Sequence, residues 1–272
     1  MISRKCVGNL VALEFDAALC WVARIRRRFQ PWLAGSLAAV AALSLLDAHA
    51  ADGTWTQTVS GGSWSTTGNW SGGIVADGSG STANFNTLNL TADNTVRLDS
   101  DRTLTGLIFG DTNTTTAAGW VLDNNGTATN NLILAGVTPT VTVNALGSGK
   151  TATISAIIEG TAGLTKSGSG TLTLSGVNTY SGTTSISTGI LAITSNNALG
   201  ATGSGNGTTV SNNAVLQLDA TGLTVAEPLT IRGDGSNFTG ALYNAVGTNT
   251  YSGLSPWTRP AAQGSGRITT PR

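Results

Sequence analysis

The chain has 272 residues, of which only 10% are charged, while glycine fills 36 positions. Soluble proteins typically carry about a quarter charged residues, and scarce Glu and Lys leave few good helix formers for exposed faces, so a helical surface is disfavoured and the polar exterior falls to Ser, Thr, Asn and Gly. Cys6, Cys20 and the single histidine, His49, all precede residue 51, so a protein processed there has no disulfide, no Cys/His metal site and no triad with a histidine base.

Residues 1–50 read as an extended signal peptide. The basic stretch Arg24-Ile-Arg-Arg-Arg28 is followed by the apolar run Trp32–Leu46 and the exit Ala48-His-Ala50, an order that predicts export and cleavage after Ala50. The run is shorter than the roughly 20 apolar residues of a membrane span. Residues 1–23 exceed what a basic leader needs, as in an unusually long signal region or a start placed too early. Removal of the segment takes six basic and three acidic residues and leaves eight basic against eleven acidic, a net charge of −3. That balance gives no electrostatic footprint for nucleic acid, which is not expected as a partner.

From residue 51 the text becomes short β-prone runs between Gly and Asn corners. They include Thr95–Leu98, Leu107–Phe109, Leu132–Leu134, Thr140–Val143, Thr151–Ser155, Thr171–Leu174, Thr184–Ile186, Ile190–Ile193, Thr208–Val210, Val215–Leu218 and Pro228–Ile231. Several alternate apolar and polar at period two, which predicts strands with one buried face. Spacing alone fits a sandwich, a barrel or a β-solenoid. Asn pairs at the corners (Asn124-Asn125, Asn130-Asn131, Asn196-Asn197, Asn212-Asn213) tolerate left-handed conformation and bond in ladders when corners stack; with only 6% aromatic residues, the narrow interior of a solenoid is favoured. An immunoglobulin-like sandwich is the alternative.

The clearest repeat unit is residues 163–193. It runs Gly163-Leu-Thr-Lys166, Gly168-Ser-Gly-Thr-Leu-Thr-Leu-Ser-Gly176, Asn178-Thr-Tyr-Ser-Gly182 and a closing strand, with a partial echo at Asn249-Thr-Tyr-Ser-Gly253. Read physically, it is three short strands (171–174, 183–186, 190–193) joined by glycine corners, close to one turn of a three-sided coil. This unit resembles the autotransporter-associated β-strand repeat of bacterial autotransporter passengers, departing from it at Ser181-Gly-Thr-Thr184. Trp55, Trp64 and Trp70 are similar to the Trp-rich opening that precedes such repeats. The resemblance implies an all-β, right-handed parallel β-helix over residues 51–254. At roughly 20 residues per turn and about 4.8 Å per rung, this gives about ten turns.

The tail, 255–272, breaks the pattern and reads either as out-of-frame translation or as a natural end. No stretch after residue 250 has the form of the membrane barrel that exports a passenger, so that translocator is expected to be missing. The unpaired edges at the ends of such a coil predict self-association.

Chemistry is then sought among carboxylates and lysines. Asp99 and Asp101, at alternate positions, would share one strand face as an acid and base for a glycan or as calcium ligands; the plainer reading is a polar edge paired with Arg97 and Arg102. Lys166 is expected to be structural. Gly147-Ser-Gly149-Lys150 and Gly203-Ser-Gly-Asn-Gly207 open no helix and read as corners rather than phosphate loops. Asp77-Gly-Ser-Gly80 and Asp234-Gly-Ser236 lack the repetition of calcium loops. The three tryptophans either offer a sugar-stacking face or cap the open first rung. The sequence therefore predicts no catalytic, cofactor-binding or metal residue and no cofactor. It points to an exported, cell-surface or extracellular, non-enzymatic, adhesin-like passenger fragment whose partner is a surface ligand or glycan. A polysaccharide lyase or hydrolase, or a fragment without a role, is the alternative.

Overall fold

The computed structural model describes residues 50–236 and 240–253, and within them the protein is a parallel β-helix. The first face stacks eight strands: Gly53–Thr54, Thr82–Phe85, Gly106–Phe109, Thr140–Val143, Leu164–Ser167, Thr183–Ile186, Gly207–Val210 and Leu229–Ile231. The second face stacks another eight: Gly62–Ser63, Asn94–Arg97, Trp120–Asp123, Ala152–Ile154, Thr171–Leu174, Gly189–Ile193, Ala214–Leu218 and Leu242–Asn244. A third face carries Arg102–Leu104, Leu132–Leu134 and Ile158–Gly160, and further along Thr224–Val225 pairs with Thr250–Tyr251. All strand pairs are parallel, which excludes the sandwich of antiparallel sheets. Residues 1–49, on which the signal-peptide expectation falls, and the tail from residue 254 lie outside the described residues.

Eight rungs, rather than about ten, make up the described coil. Successive first-face strands begin as little as 19 residues apart (Leu164 to Thr183) and as much as 34 (Gly106 to Thr140), because corners vary in length while strands stay at two to five residues. The repeat unit is also divided differently from the expectation. Thr171–Leu174 and Gly189–Ile193 are neighbours on one face, and Thr183–Ile186 pairs with Leu164–Ser167, so the unit covers more than one turn. Leu164–Ser167 does not stand out as a strand in the sequence because its inward position holds a lysine.

Alternation at period two builds the interior. On the second face, Trp120, Ala152, Leu172, Leu191, Leu216 and Leu242 form one inward column, and Leu122, Ile154, Leu174, Ile193 and Leu218 form another. On the first face the register aligns Ala83, Leu107, Val141, Lys166, Ile186, Val210 and Ile231. Beside Thr171–Leu174, the third face is completed by an irregular segment: Thr179 and Tyr180 donate to the Ile158 carbonyl, and Ser181 donates to that of Gly160.

Several asparagines join rungs, as the composition predicts, some of them at the named corners: Asn130 Nδ2 donates to the Leu98 carbonyl at 2.8 Å, and Asn196 Oδ1 accepts from the Thr224 N–H at 2.8 Å. Asn178 accepts from the Ile158 N–H at 2.9 Å and donates to the Ala198 carbonyl at 2.6 Å, spanning three rungs. Asn125 and Asn213 instead supply left-handed corners, with φ of 54° and 63°.

Candidate functional site

The first rung is closed by a folded-back segment. Residues after Trp64 make two 3₁₀ turns, Thr67–Asn69 and Ser71–Gly73, and return antiparallel across the outer edge of Gly53–Thr54 through the bridges Trp55↔Trp70 and Ala51↔Asp77. Trp55 and Trp64 are fully buried, and Trp70 lies edge-on to both, with ring centroids 5.1 and 4.9 Å away. Phe85, Phe109 and Trp120 continue the cluster inward. The indole N–H groups donate to carbonyls of Gln57, Ala76 and Trp64, and because all three rings are buried they present no face to a sugar. Of the two readings of these tryptophans, the structure has the cap.

Asp99 and Asp101 do not share a strand face. They lie in the corner between Asn94–Arg97 and Arg102–Leu104 and are used locally. Asp99 accepts from Ser63 Oγ at 2.6 Å, from the N–H and Oγ of Ser65, and from Arg102 Nη2 at 3.0 Å. Burial alone would raise its pKa, but these donors together hold it at about 2. A carboxyl held this low is a poor general acid near neutrality. Asp101 accepts from the Asn131 N–H at 2.9 Å. Arg102 also reaches Asp77 Oδ2 at 3.0 Å, while Arg97 faces Asp123 at 3.9 Å. Asp77 further accepts from the N–H groups of Gly78 and Thr103. Its loop is thus a fastening between cap and second rung. Among the described residues, no group of three or more His, Cys, Asp and Glu is placed to hold a metal ion.

Lys166 is fully buried in the apolar column between Val141 and Ile186. Its Nζ reaches a corner and donates to the carbonyls of Ser167 (2.8 Å), Gly168 (2.9 Å) and Thr188 (3.2 Å). Desolvation lowers its pKa to about 8. Gly189, at φ 69°, is required beside it: a Cβ there would overlap the Gly168 carbonyl oxygen and crowd Nζ at 3.0 Å. Three carbonyl oxygens thus receive the ammonium, as they would a small cation.

A second buried polar group has no counterpart among the residues that the sequence pattern singles out. Glu227 is 2% exposed and accepts from Thr208 Oγ1 at 2.9 Å; burial raises its pKa to about 7, against the lowering effect of that bond. Nearby, Tyr180 OH shares a hydrogen bond of 2.7 Å with Thr184, and the buried Tyr251 OH has no protein partner. Thr184 and Thr208 are adjacent in the first-face register, so these groups form an internal polar stack. The only sequence signal is a lone acid inside Val225-Ala-Glu-Pro-Leu229, which by itself reads as part of a rung.

The outer surface offers a shallow polar groove of about 460 Å³, lined by Lys150, Thr151, Ser169, Gly170, Gln217 and Asp219 among others. Lys150 Nζ bonds Asp93 at 2.8 Å, and the Gly147–Lys150 glycine string is a corner on the rim rather than a phosphate loop.

Stacked parallel rungs, a capped first turn and polar groups spent on rung-to-rung bonds define a solenoid of the parallel β-helix class. Residues 164–193 match the passenger-associated-transport-repeat family model. The protein is 39% identical over 107 residues to the adhesin BmaC autotransporter of Brucella suis biovar 1 (strain 1330), an alignment covering 39% of this chain and 3% of that protein. It is accordingly autotransporter passenger-like, and it matches only a small fraction of this much longer relative. No solved structure matches it.

Proposed function

We propose that this protein is a stretch of a surface-displayed, adhesin-like passenger that acts as a stalk and contact surface rather than as an enzyme. The observation that carries this reading is the use of the side chains: the candidate acids Asp99 and Asp101 and the buried Lys166 all terminate on groups of the coil itself. What remains for a partner is the corners and the groove bearing Lys150, Gln217 and Asp219. A polar lining of this kind suits a glycan or another polar surface ligand. The repeat and the adhesin relative support export to the cell surface.

The reading is tested with the purified protein applied in parallel to immobilised glycans and host-cell surfaces, and to a panel of soluble polysaccharides. Saturable binding with no reducing ends or unsaturated sugars released is the expected result. Release of either product, lost on Asp99→Asn, would overturn it in favour of a polysaccharide hydrolase or lyase.

A further inference from the structure

Asn is followed by Gly at two places in the sequence, Asn125–Gly126 and Asn206–Gly207. The fold treats the two pairs differently. Asn125 sits exposed at the tip of the corner after Trp120–Asp123, at φ 54°, and no hydrogen bond of its side-chain amide is found among the described residues. Only its backbone N–H is engaged, donating to Asp123 Oδ1 at 2.9 Å. Gly126 is equally exposed, with open space where a Cβ would stand, and its N–H makes one solvent-exposed bond to Asn124 Oδ1 at 3.2 Å.

Asn206 is held at both ends of its amide. Its Oδ1 accepts from the Gly182 N–H at 2.7 Å, and its Nδ2 donates to the Thr202 carbonyl at 3.2 Å. Its neighbour Gly207 begins the strand Gly207–Val210, which has paired strands on both sides.

An Asn-Gly pair has an intrinsic reaction when the amide is free to turn. The following backbone nitrogen gives up its proton to solvent and attacks Cγ of the asparagine. A new bond from that nitrogen to Cγ closes a five-membered imide, the Cγ–Nδ2 bond breaks, and ammonia leaves with a proton from water. A second water opens the imide to aspartate or isoaspartate. Carbon changes no oxidation state, and glycine favours the attack because it has no Cβ to obstruct it.

We propose that Asn125 is a self-modification site: its amide deamidates spontaneously to aspartate and isoaspartate in the folded protein, while the two hydrogen bonds of the Asn206 amide, one to the neighbouring rung and one within its own corner, protect the second pair. The change adds a carboxylate two residues from Asp123, the partner of Arg97, and so makes this corner progressively more acidic as the displayed protein ages.

The test incubates the full-length protein, native and in urea, in mildly alkaline buffer. Peptide mass spectrometry follows replacement of NH₂ by OH at each asparagine, and an isoaspartyl methyltransferase reports the isomer. In the native protein Asn125 is expected to react about thirty-fold faster than Asn206, the factor set by having to break two hydrogen bonds of ordinary strength. In urea the two rates converge. Equal native rates, or an Asn125 that stays intact in the native protein on the timescale on which it converts in urea, would overturn the proposal.

Discussion

Asn144 Nδ2 donates to Asn86 Oδ1 at 3.1 Å, although the two residues are two rungs apart. The register that aligns Phe85, Phe109 and Val143 places Asn86, Gly110 and Asn144 at the same corner of three successive rungs. The amides meet because the middle rung contributes a glycine. A Cβ on Gly110 would overlap Asn86 Oδ1 outright.

Gly110→Ala is therefore expected to cost about 1–2 kcal/mol by expelling the Asn86 amide from its bond. The backbone of Gly110 is not in the left-handed region, so the cost is steric and local. In an Asn86→Ala background the same substitution should be nearly neutral. Urea melts of the four-member cycle check this, and a coupling energy near zero would contradict the ladder.

Lys166→Met matches the length of the apolar part of the side chain but leaves the Ser167, Gly168 and Thr188 carbonyls without their donor. Removing a buried charge recovers desolvation, whereas orphaned carbonyls each cost about 1–3 kcal/mol, so the net expectation is a loss of about 2 kcal/mol. Gly189→Ala, which pushes a methyl against the Gly168 carbonyl, should produce a loss in the same region. Thermal melts and amide exchange at residues 164–193 check both.

Much of the coil is legible in the sequence because its strands are written at period two and its repeat is nearly regular. Thr140–Val143 and Thr171–Leu174 have the bounds that their alternation predicts, and Leu132–Leu134 has those of its continuous β-prone run. Arg102–Leu104 and Leu164–Ser167 do not read as strands, because an arginine and a lysine stand at positions the fold buries. Both are tolerated because their charged ends find oxygens within reach, information that belongs to the neighbouring rungs and not to the local run. The pairing of Asp77 with Arg102 is likewise invisible in the sequence, since the two residues meet only when the cap folds back.

Between pH 3 and 8 stability should peak on the acid side of neutrality; Lys166, whose pKa is lowered to about 8, adds stability only as pH rises above that value. The Glu227 pKa is raised from its ordinary value to about 7, so the stability it contributes is present below about pH 4.5 and is lost as pH rises through 7. The Asp99 pKa is depressed to about 2, so its contribution is present above about pH 4 and is lost as pH falls toward 2. Glu227→Gln keeps an acceptor for Thr208 and should flatten the alkaline limb, gaining about 1–2 kcal/mol at pH 8. Tm measured from pH 3 to 9 for both proteins checks this; an unchanged alkaline limb in the variant would assign the loss to another group.

The cap should be removable without unwinding the rod. Arg102 joins Asp77 of the folded-back segment to Asp99 of the second rung, and its side chain is 10% exposed. Arg102→Ala leaves two carboxylates without their cation and should cost about 2–4 kcal/mol, less than in a wholly dry site because Asp77 is partly hydrated. Trp64→Ala removes a fully buried indole and should cost about 3–5 kcal/mol. Both losses fall on the segment that covers the outer edge of Gly53–Thr54. Loosening it bares a parallel edge strand and an apolar interior, the two features that promote pairing with a second copy. Light scattering over a concentration series should then show association that is greater for either variant than for the parent protein. Association unchanged in a variant whose cap amides have lost exchange protection would mean that the folded-back segment does not guard this end.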